Sequence, residues 1–310
     1  MDLKILTIVL IYFASQTHEY VYFSVPFYQH FNNHSSTYEY RERIYSNLKF
    51  LMRKISLDFP DVPYESILLK REFITYEDII NDTRTDHRYI QVQKNGRYKY
   101  IILPLNQVMV EFFEHDGRRY YACNKSPFTT YRKARINCEL LEKYSSLKSQ
   151  HRLLGKDFFA GRIWRNNWRD CYYKCFSETH FLELKKRFLK ELVMLRNIYN
   201  KPMIFYNKTL EFTADYHARI NALVNKLLVA GDEKSKVHEV AAFISPPFAN
   251  LQLNKWYNAL LEERRNRNNN IKRSKLESKQ FYLLLSSRIR EVGFGVYLYK
   301  QKLSIVLTFM

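Results

Sequence analysis

Glycine and proline are scarce in this sequence, with 7 Gly and 8 Pro among 310 residues. Flexible linkers are usually rich in one or the other, so their scarcity argues against loosely joined or disordered segments. Beyond the amino terminus, no apolar run reaches the roughly 18 residues that a membrane helix needs. We therefore expect a folded chain without a transmembrane segment, long enough for two domains of ordinary size.

Catalytic motifs are also missing. The chain has no GxSxG nucleophile elbow, and Gly293 and Gly295 lack the third glycine of a dinucleotide-binding loop. His238 and Glu239 begin an HExxH-like string, but Ala242 stands where the second zinc-binding histidine is required. These absences predict a protein that is not an enzyme and that needs no cofactor.

Residues 1–16 have the layout of a cleavable signal peptide. Lys4 supplies a positive start, an apolar run follows over residues 5–13, and Ala14 is the small residue expected before a cut after Gln16. The alternative is a short buried helix or strand at the start of the first domain. We predict a secreted, extracellular protein whose mature chain is soluble.

Positive charge dominates, since 50 Lys and Arg against 31 Asp and Glu give a net charge of +19. Loss of the leader removes Asp2 and Lys4 and leaves this value unchanged. Such a field favours acidic partners, which outside the cell are sulfated glycans, anionic lipid surfaces or acidic proteins rather than nucleic acid. The alternative is that the basic surface only keeps the protein soluble.

The four cysteines suit an oxidising compartment and allow three pairings. Sequence proximity favours Cys123 with Cys138 and Cys171 with Cys175. Zinc binding is the alternative, but no histidine stands at finger spacing from either pair. If the leader directs secretion, four sequons are open to glycosylation: Asn33, Asn81, Asn124 and Asn207. Their presence supports secretion only weakly.

The first part of the chain, residues 17–144, has the pattern of a small α+β module. An amphipathic helix is expected over residues 38–59, where Ile44, Leu48 and Leu51 recur at helical spacing. Hairpins are expected across residues 95–96 and 116–117, followed by a helix over residues 130–144. Residues 145–177 have poor periodicity and many aromatic residues, so we interpret them as an ordered connector braced by a disulfide.

The remaining residues, 178–310, predict an α+β domain. Three helices are expected over residues 181–199, 210–228 and 253–260, with Thr179 capping the first and Gly231 ending the second. Three apolar, strand-like segments follow at residues 281–285, 292–299 and 303–309. Helices followed by an antiparallel meander indicate helices packed on a sheet.

These segments also follow the order and spacing of one known family. The run IFYNKTLEFTADYHA at residues 204–218 places Ile204, Tyr206, Leu210, Ala214 and Ala218 in register with its Leu, Trp, Leu, Ala and Ala. Arg196 and Asn197, Glu239, Trp256 and Tyr257, and Gly293 and Gly295 fall at further family positions. Residues 181–310 thus resemble the CAP superfamily, also called SCP or TAPS, of secreted venom-allergen-like domains. The resemblance implies an α+β fold built as a three-layer α-β-α sandwich.

The chain departs from this family at the metal site. CAP domains often carry two His and two Glu in a central cleft, and here only Glu239 remains, because Ala259 and Gln280 replace two of the others and residues 227–236 hold no histidine. One carboxylate cannot hold zinc tightly, so we predict no metal. The usual CAP disulfides are also missing, since no cysteine follows Cys175.

Two candidate binding surfaces follow. The first is an apolar ligand cleft, although aromatic residues at such spacings more often belong to a core; its residues are Glu239, Gln280, Tyr282, Trp256 and Tyr257. The second is the densest basic run, interpreted as an exposed loop that contacts polyanions or is simply solvated; its residues are Arg264, Arg265, Arg267, Lys272, Arg273 and Lys275.

The resemblance therefore implies a secreted, non-enzymatic CAP-like protein that binds a lipid or sterol-like ligand or an extracellular protein partner. The alternative is a surface protein that binds polyanions such as sulfated glycans through its positive charge.

Overall fold

The computed structural model describes residues 21–32, 35–72, 88–104, 107–228, 236–268 and 281–310. The chain divides into two units, Met1–Glu139 and Leu140–Met310. Both combine helices with a sheet, so the expectation of an α+β protein is confirmed. The proposed leader at residues 1–16 lies outside the described residues. No helix in the described ranges has the length and apolarity needed to cross a bilayer.

The first unit is built mainly of strands. Its elements are β1 Tyr22–Asn32, β2 Ser35–Tyr40, β3 Arg43–Tyr45, α1 Leu48–Asp58, β4 Ile67–Glu72, β5 Tyr89–Val92, β6 Tyr98–Ile101, β7 Met109–His115, β8 Arg118–Cys123, β9 Ser126–Phe128 and α2 Tyr131–Tyr144. The sheet runs in the order β6-β5-β4-β1-β7-β8-β9, with β2 pairing with β1 and β3. Both predicted hairpins are present, as β5 with β6 and β7 with β8.

An aromatic core and one disulfide hold this unit together. The ring of Phe23 contacts those of Phe59 and Tyr131, and Phe59 also contacts Phe112. Cys123 at the end of β8 is bonded to Cys138 in α2. This is a pairing that sequence proximity favours.

The helix expected over residues 38–59 is only half present. Residues 35–45 form the hairpin of β2 and β3, and Ile44 is exposed on it. Strand pairing overrides the helical spacing there, because Arg41 and Glu42 form the turn with positive φ angles. The helix begins at Leu48, where the side chain of Asn47 accepts a hydrogen bond from the Phe50 amide.

The second unit contains more helix. Its elements are a 3₁₀ turn Gln150–Leu153, α3 Phe158–Trp168, α4 Tyr173–Phe176, α5 Glu178–Ile198, β10 Phe205–Tyr206, α6 Lys208–Val224, β11 His238–Ile244, a 3₁₀ turn Pro246–Leu251, α7 Gln252–Asn268, β12 Glu291–Tyr299 and β13 Lys302–Phe309. The sheet runs in the order β10-β12-β13-β11.

Small residues let α6 lie directly on this sheet. A Cβ atom added to Gly295 in β12 would stand 2.0 Å from the Ala214 carbonyl oxygen, and one on Gly293 would stand 2.1 Å from the Glu211 amide nitrogen. Ala214 and Ala218 pack with Ala241 and Val306 in the interface. Side chains alternate between the faces of a strand, so Phe294 points the other way, where it contacts Phe188 of α5.

The strand predicted at residues 281–285 is wrong. Residues 281–284 are helical, and Phe281 packs beside Trp256 with ring centroids 6.1 Å apart. A short apolar run does not distinguish a buried strand from a buried helical turn. The third long strand is β11, which pairs antiparallel with β13.

Two predicted helix ends also differ from the structure. Thr179 does not cap α5, because it lies with His180 and Phe181 in a left-handed turn before the regular helix. Helix α6 ends at Asn225, which adopts the left-handed conformation that Asn tolerates, whereas Gly231 lies outside the described residues.

The segment at residues 145–177 contains helices α3 and α4, which its poor periodicity did not predict. Its Trp168 is buried against Phe188 of α5. Cys171 and Cys175 are bonded to each other, which is the second pairing that sequence proximity favours.

Candidate functional site

Glu239 lies in a small polar cluster beneath α6. It is buried in β11 opposite Thr308 of β13, whose hydroxyl donates to its Oε1 at 3.0 Å. From α6, His217 Nδ1 lies 2.5 Å from the same oxygen. A buried carboxylate needs such partners, because removing it from water without hydrogen bonds is costly. The cluster therefore joins the helix to the sheet.

His217 was not among the predicted cleft residues. The CAP resemblance placed the expected cleft histidine in residues 227–236, which hold none, whereas His217 stands one residue before Ala218 in α6. Its position on α6 above Glu239 follows from the pairing of β11 with β13, and no local pattern predicted that pairing. His217 remains partly accessible to solvent and lies beside the ring of Tyr216.

Among the described residues, this cluster holds neither a free thiol nor a set of metal ligands. All four cysteines are in disulfides, and Thr308 is fully buried. Within the described ranges, no three His, Cys, Asp or Glu side chains are grouped closely enough to hold a metal ion. The absence of a metal from the proposed cleft stays a prediction.

The aromatic residues of the proposed cleft are divided between core and surface. Trp256 and Tyr257 are buried in α7, and the hydroxyl of Tyr257 lies 2.7 Å from that of Tyr199. Tyr282 is exposed, with the Arg264 guanidinium 5.4 Å from its ring centroid. Gln280 lies outside the described residues. Glu239, by contrast, contacts His217 and Thr308.

The proposed polyanion segment is described only in part. Arg264 and Arg265 are exposed on α7, which continues to Asn268, so the run begins as helix and not as a loop. The side chain of Arg267 and the whole of Lys272, Arg273 and Lys275 lie outside the described residues.

Two sequons can be placed, while Asn33 and Asn81 lie outside the described residues. Asn124 is in a tight turn between β8 and β9. Asn207 caps α6, since its Oδ1 accepts from the amides of Thr209 and Leu210, and its Nδ2 donates to Glu291 at 2.6 Å. This capping role accounts for an asparagine at 207 whether or not a glycan is attached.

Arg196 is a buried arginine near the end of α5. Arg196 donates to the backbone carbonyls of Pro202 at 3.0 Å and Ile289 at 2.9 Å, and also to that of Leu284. Its guanidinium ties the end of α5 to the segment before β12. We therefore assign Arg196 a structural role.

The outer face of α6 carries large apolar side chains in contact with solvent. Phe212 is 78% exposed and Tyr216 is 57% exposed. Leu223, about two helical turns after Tyr216, is also exposed. These residues and Arg219 fall in one line, since their spacings of four, three and four match successive helical turns. We call this set the α6 stripe.

Comparison with known proteins gives a family match in the first part of the chain. Residues 19–140 match a model described as a domain of unknown function, DUF7381. No curated protein matches the chain.

Two solved structures are similar to part of this chain. A hookworm platelet inhibitor is 14% identical with a TM-score of 0.30, over 42% of this chain and 69% of that chain. An extracellular protein containing an SCP domain, from Bacillus anthracis str. Ames, is 14% identical with a TM-score of 0.27, over 40% of this chain and 39% of its own. The chain thus spans about two fifths of the bacterial protein. At these scores neither likeness decides the family or the function.

Proposed function

We propose that this is a secreted, non-enzymatic protein with a CAP-like second unit, and that it binds an acidic extracellular protein through the α6 stripe. The exposed stripe is the observation that carries the proposal. A helix packed on a core normally turns polar side chains to solvent, and large exposed apolar sets mark interaction surfaces. Aromatic residues are also enriched where proteins bind one another.

The arrangement of the second unit supports the CAP-like part of the proposal. Helix α6 packs on one face of the sheet through Gly293 and Gly295, and Phe188 of α5 contacts Phe294 on the opposite face. Helices on both faces are what a three-layer α-β-α sandwich requires.

Charge indicates an acidic partner. Arg219 lies within the stripe, and Lys208 and Lys226 are exposed at the two ends of α6. The carboxylates of Glu211 and Asp215 are held by Lys185, at 2.8 and 2.7 Å. Lys185 offsets one of these two negative charges, so Arg219, Lys208 and Lys226 leave the face positive on balance, which favours negative surfaces and disfavours a second copy of a chain with a charge of +19.

A protein partner accounts for these observations better than a lipid or sterol held in the proposed cleft. Two of the residues suggested for that cleft, Trp256 and Tyr257, are buried in the core, whereas the large side chains of the stripe are exposed. Truncating them should weaken binding without loosening the fold.

The test begins with capture of partners from extracellular fluid on the immobilised full-length protein, followed by titration of the purified partner. The double variant Phe212→Ala/Tyr216→Ala should bind at least about tenfold more weakly than the wild type. The matched control Phe158→Ala/Phe159→Ala removes two rings of similar exposure from α3 and should bind normally. Equal affinity of all three proteins would contradict the proposal, as would self-association that the α6 variant abolishes.

Binding of sulfated glycans is the second candidate, favoured by the exposed Arg264 and Arg265 at the start of the basic run. Retention on heparin should then fall steeply with salt. Alanine at Arg265, Lys272, Arg273 and Lys275 together should lower the salt concentration needed for elution. An unchanged elution point would exclude this run as the binding site.

A further inference from the structure

We infer that the segment of residues 147–165 docks the protein on anionic lipid membranes. It uses other residues than the α6 stripe and goes beyond the proposed function. Its centre is a pair of adjacent phenylalanines that begin α3: Phe158 is 66% exposed and Phe159 is 57% exposed, with their rings 5.6 Å apart. Leu153, about five residues before Phe158, is also exposed.

Positive charge surrounds these apolar side chains. Five exposed cations lie in the segment, and none forms an ion pair with a described residue: Lys148, Arg152, Lys156, Arg162 and Arg165. The segment's one acid is Asp157, which caps α3 by accepting a hydrogen bond from the Ala160 amide at 2.8 Å. Arg162 stands one helical turn from the two rings.

The segment is held firmly by the core of its unit. Trp164 is buried and donates from Nε1 to the Asn250 carbonyl at 2.8 Å. Gln150 accepts from Asn250 Nδ2 at 2.7 Å, and the Gly155 amide donates to Asn254 at 3.2 Å. The phenylalanines are therefore presented to solvent by an anchored backbone, so little conformational entropy is lost when they insert.

Charge and apolar exposure together favour a membrane over other partners. Five cations flank the two adjacent rings and the segment's one acid is engaged as a helix cap, so the surface is complementary to one that is negatively charged and partly apolar. A sulfated glycan would use the cations and leave Phe158 and Phe159 in water. Anionic lipid uses both, because the rings enter the headgroup region while the cations contact the lipid charges.

The test is co-sedimentation of the full-length protein with vesicles. Wild type should bind vesicles of equal parts phosphatidylcholine and phosphatidylserine, and not vesicles of phosphatidylcholine alone. Phe158→Ala/Phe159→Ala should lower the partition coefficient about tenfold or more. Arg162→Glu/Arg165→Glu should cause a loss of similar or larger size. The control Phe212→Ala/Tyr216→Ala should bind as the wild type does.

Three results would overturn the inference: no binding to the mixed vesicles, binding that Phe158→Ala/Phe159→Ala leaves unchanged, or an equal loss in the α6 control. The second result would mean attraction by charge alone, and the third a general effect of exposed rings. The variant Phe158→Trp/Phe159→Trp, which keeps large rings in place, should retain binding, and an unchanged unfolding midpoint of Phe158→Ala/Phe159→Ala should exclude misfolding as the cause of its loss. The first two results leave partner binding by the α6 stripe untouched, because they concern residues outside it.

Discussion

Helix α6 turns small side chains towards the sheet and large apolar side chains towards solvent, which is the reverse of what is usual in a packed helix. The inner face carries Ala214 and Ala218 against the glycines of β12, and the outer face carries Phe212 and Tyr216 in solvent. Close backbone approach, together with the buried Leu210, holds the inner face on the sheet. The large outer side chains contribute little to that packing, so their presence is better explained by binding.

The largest loss of stability expected from a single substitution tests the inner face. Gly295→Ala places a methyl group against the backbone of Ala214, which cannot rotate away, so we expect the free energy of unfolding to fall by about 3 kcal/mol. Denaturant unfolding measures it. The control Gly161→Ala lies in α3, where an added Cβ would be 3.6 Å from the Arg165 side chain, and should be neutral or stabilising by up to about 1 kcal/mol. Equal stability of the two variants would show that α6 is not in close contact with β12.

A smaller effect is expected at the polar cluster. His217→Ala removes one hydrogen-bond partner from the buried Glu239 carboxylate, so the free energy of unfolding should fall by about 2 kcal/mol. Adding Glu239→Gln should recover part of this loss, because the buried group is then neutral. If His217→Ala is as stable as the wild type, the contact makes no net contribution.

The pH dependence of stability should come in part from another buried carboxyl group. Burial raises the pKa of Glu191 to about 8, although Trp168 donates to it at 2.6 Å. The native state therefore keeps a proton that the unfolded chain loses above its ordinary pKa of 4.5. Stability should fall as pH rises from about 4.5 to 8, by at most about 1.4 kcal/mol per pH unit. Glu191→Gln should flatten that slope in denaturant unfolding across this range, and parallel profiles would refute the assignment.

The smallest effect on stability belongs to the outer face. Phe212→Ala/Tyr216→Ala removes exposed rings, so the free energy of unfolding should change by less than about 0.5 kcal/mol. Thermal unfolding measures this directly. A large loss would mean that the rings support the fold, and the contrast between the two faces would disappear.

Local patterns predicted the elements whose contacts are near in sequence. The Asn95–Gly96 hairpin, the helix at α6 and the strands β12 and β13 were expected from turn chemistry and apolar periodicity. The sequence excluded Gly293 and Gly295 as a dinucleotide-binding loop, and the structure shows that their close neighbour is a helix.

The features that could not be predicted depend on contacts between residues that are far apart in the sequence. Strand β11 is recognisable only by its pairing with β13, and the helical turn at Phe281 only by its packing on Trp256. For the same reason His217 was missed, since its partner Glu239 is 22 residues away on another element. The exposure of Phe212 and Tyr216 is likewise a property of the packed unit and not of the helix alone.

The affinity of the purified partner for wild type and for Phe212→Ala/Tyr216→Ala tests the central claim most directly. We predict a Kd at least about tenfold higher for the variant, with an unchanged unfolding midpoint. An unchanged Kd would contradict the assignment of the outer face of α6 as the binding surface.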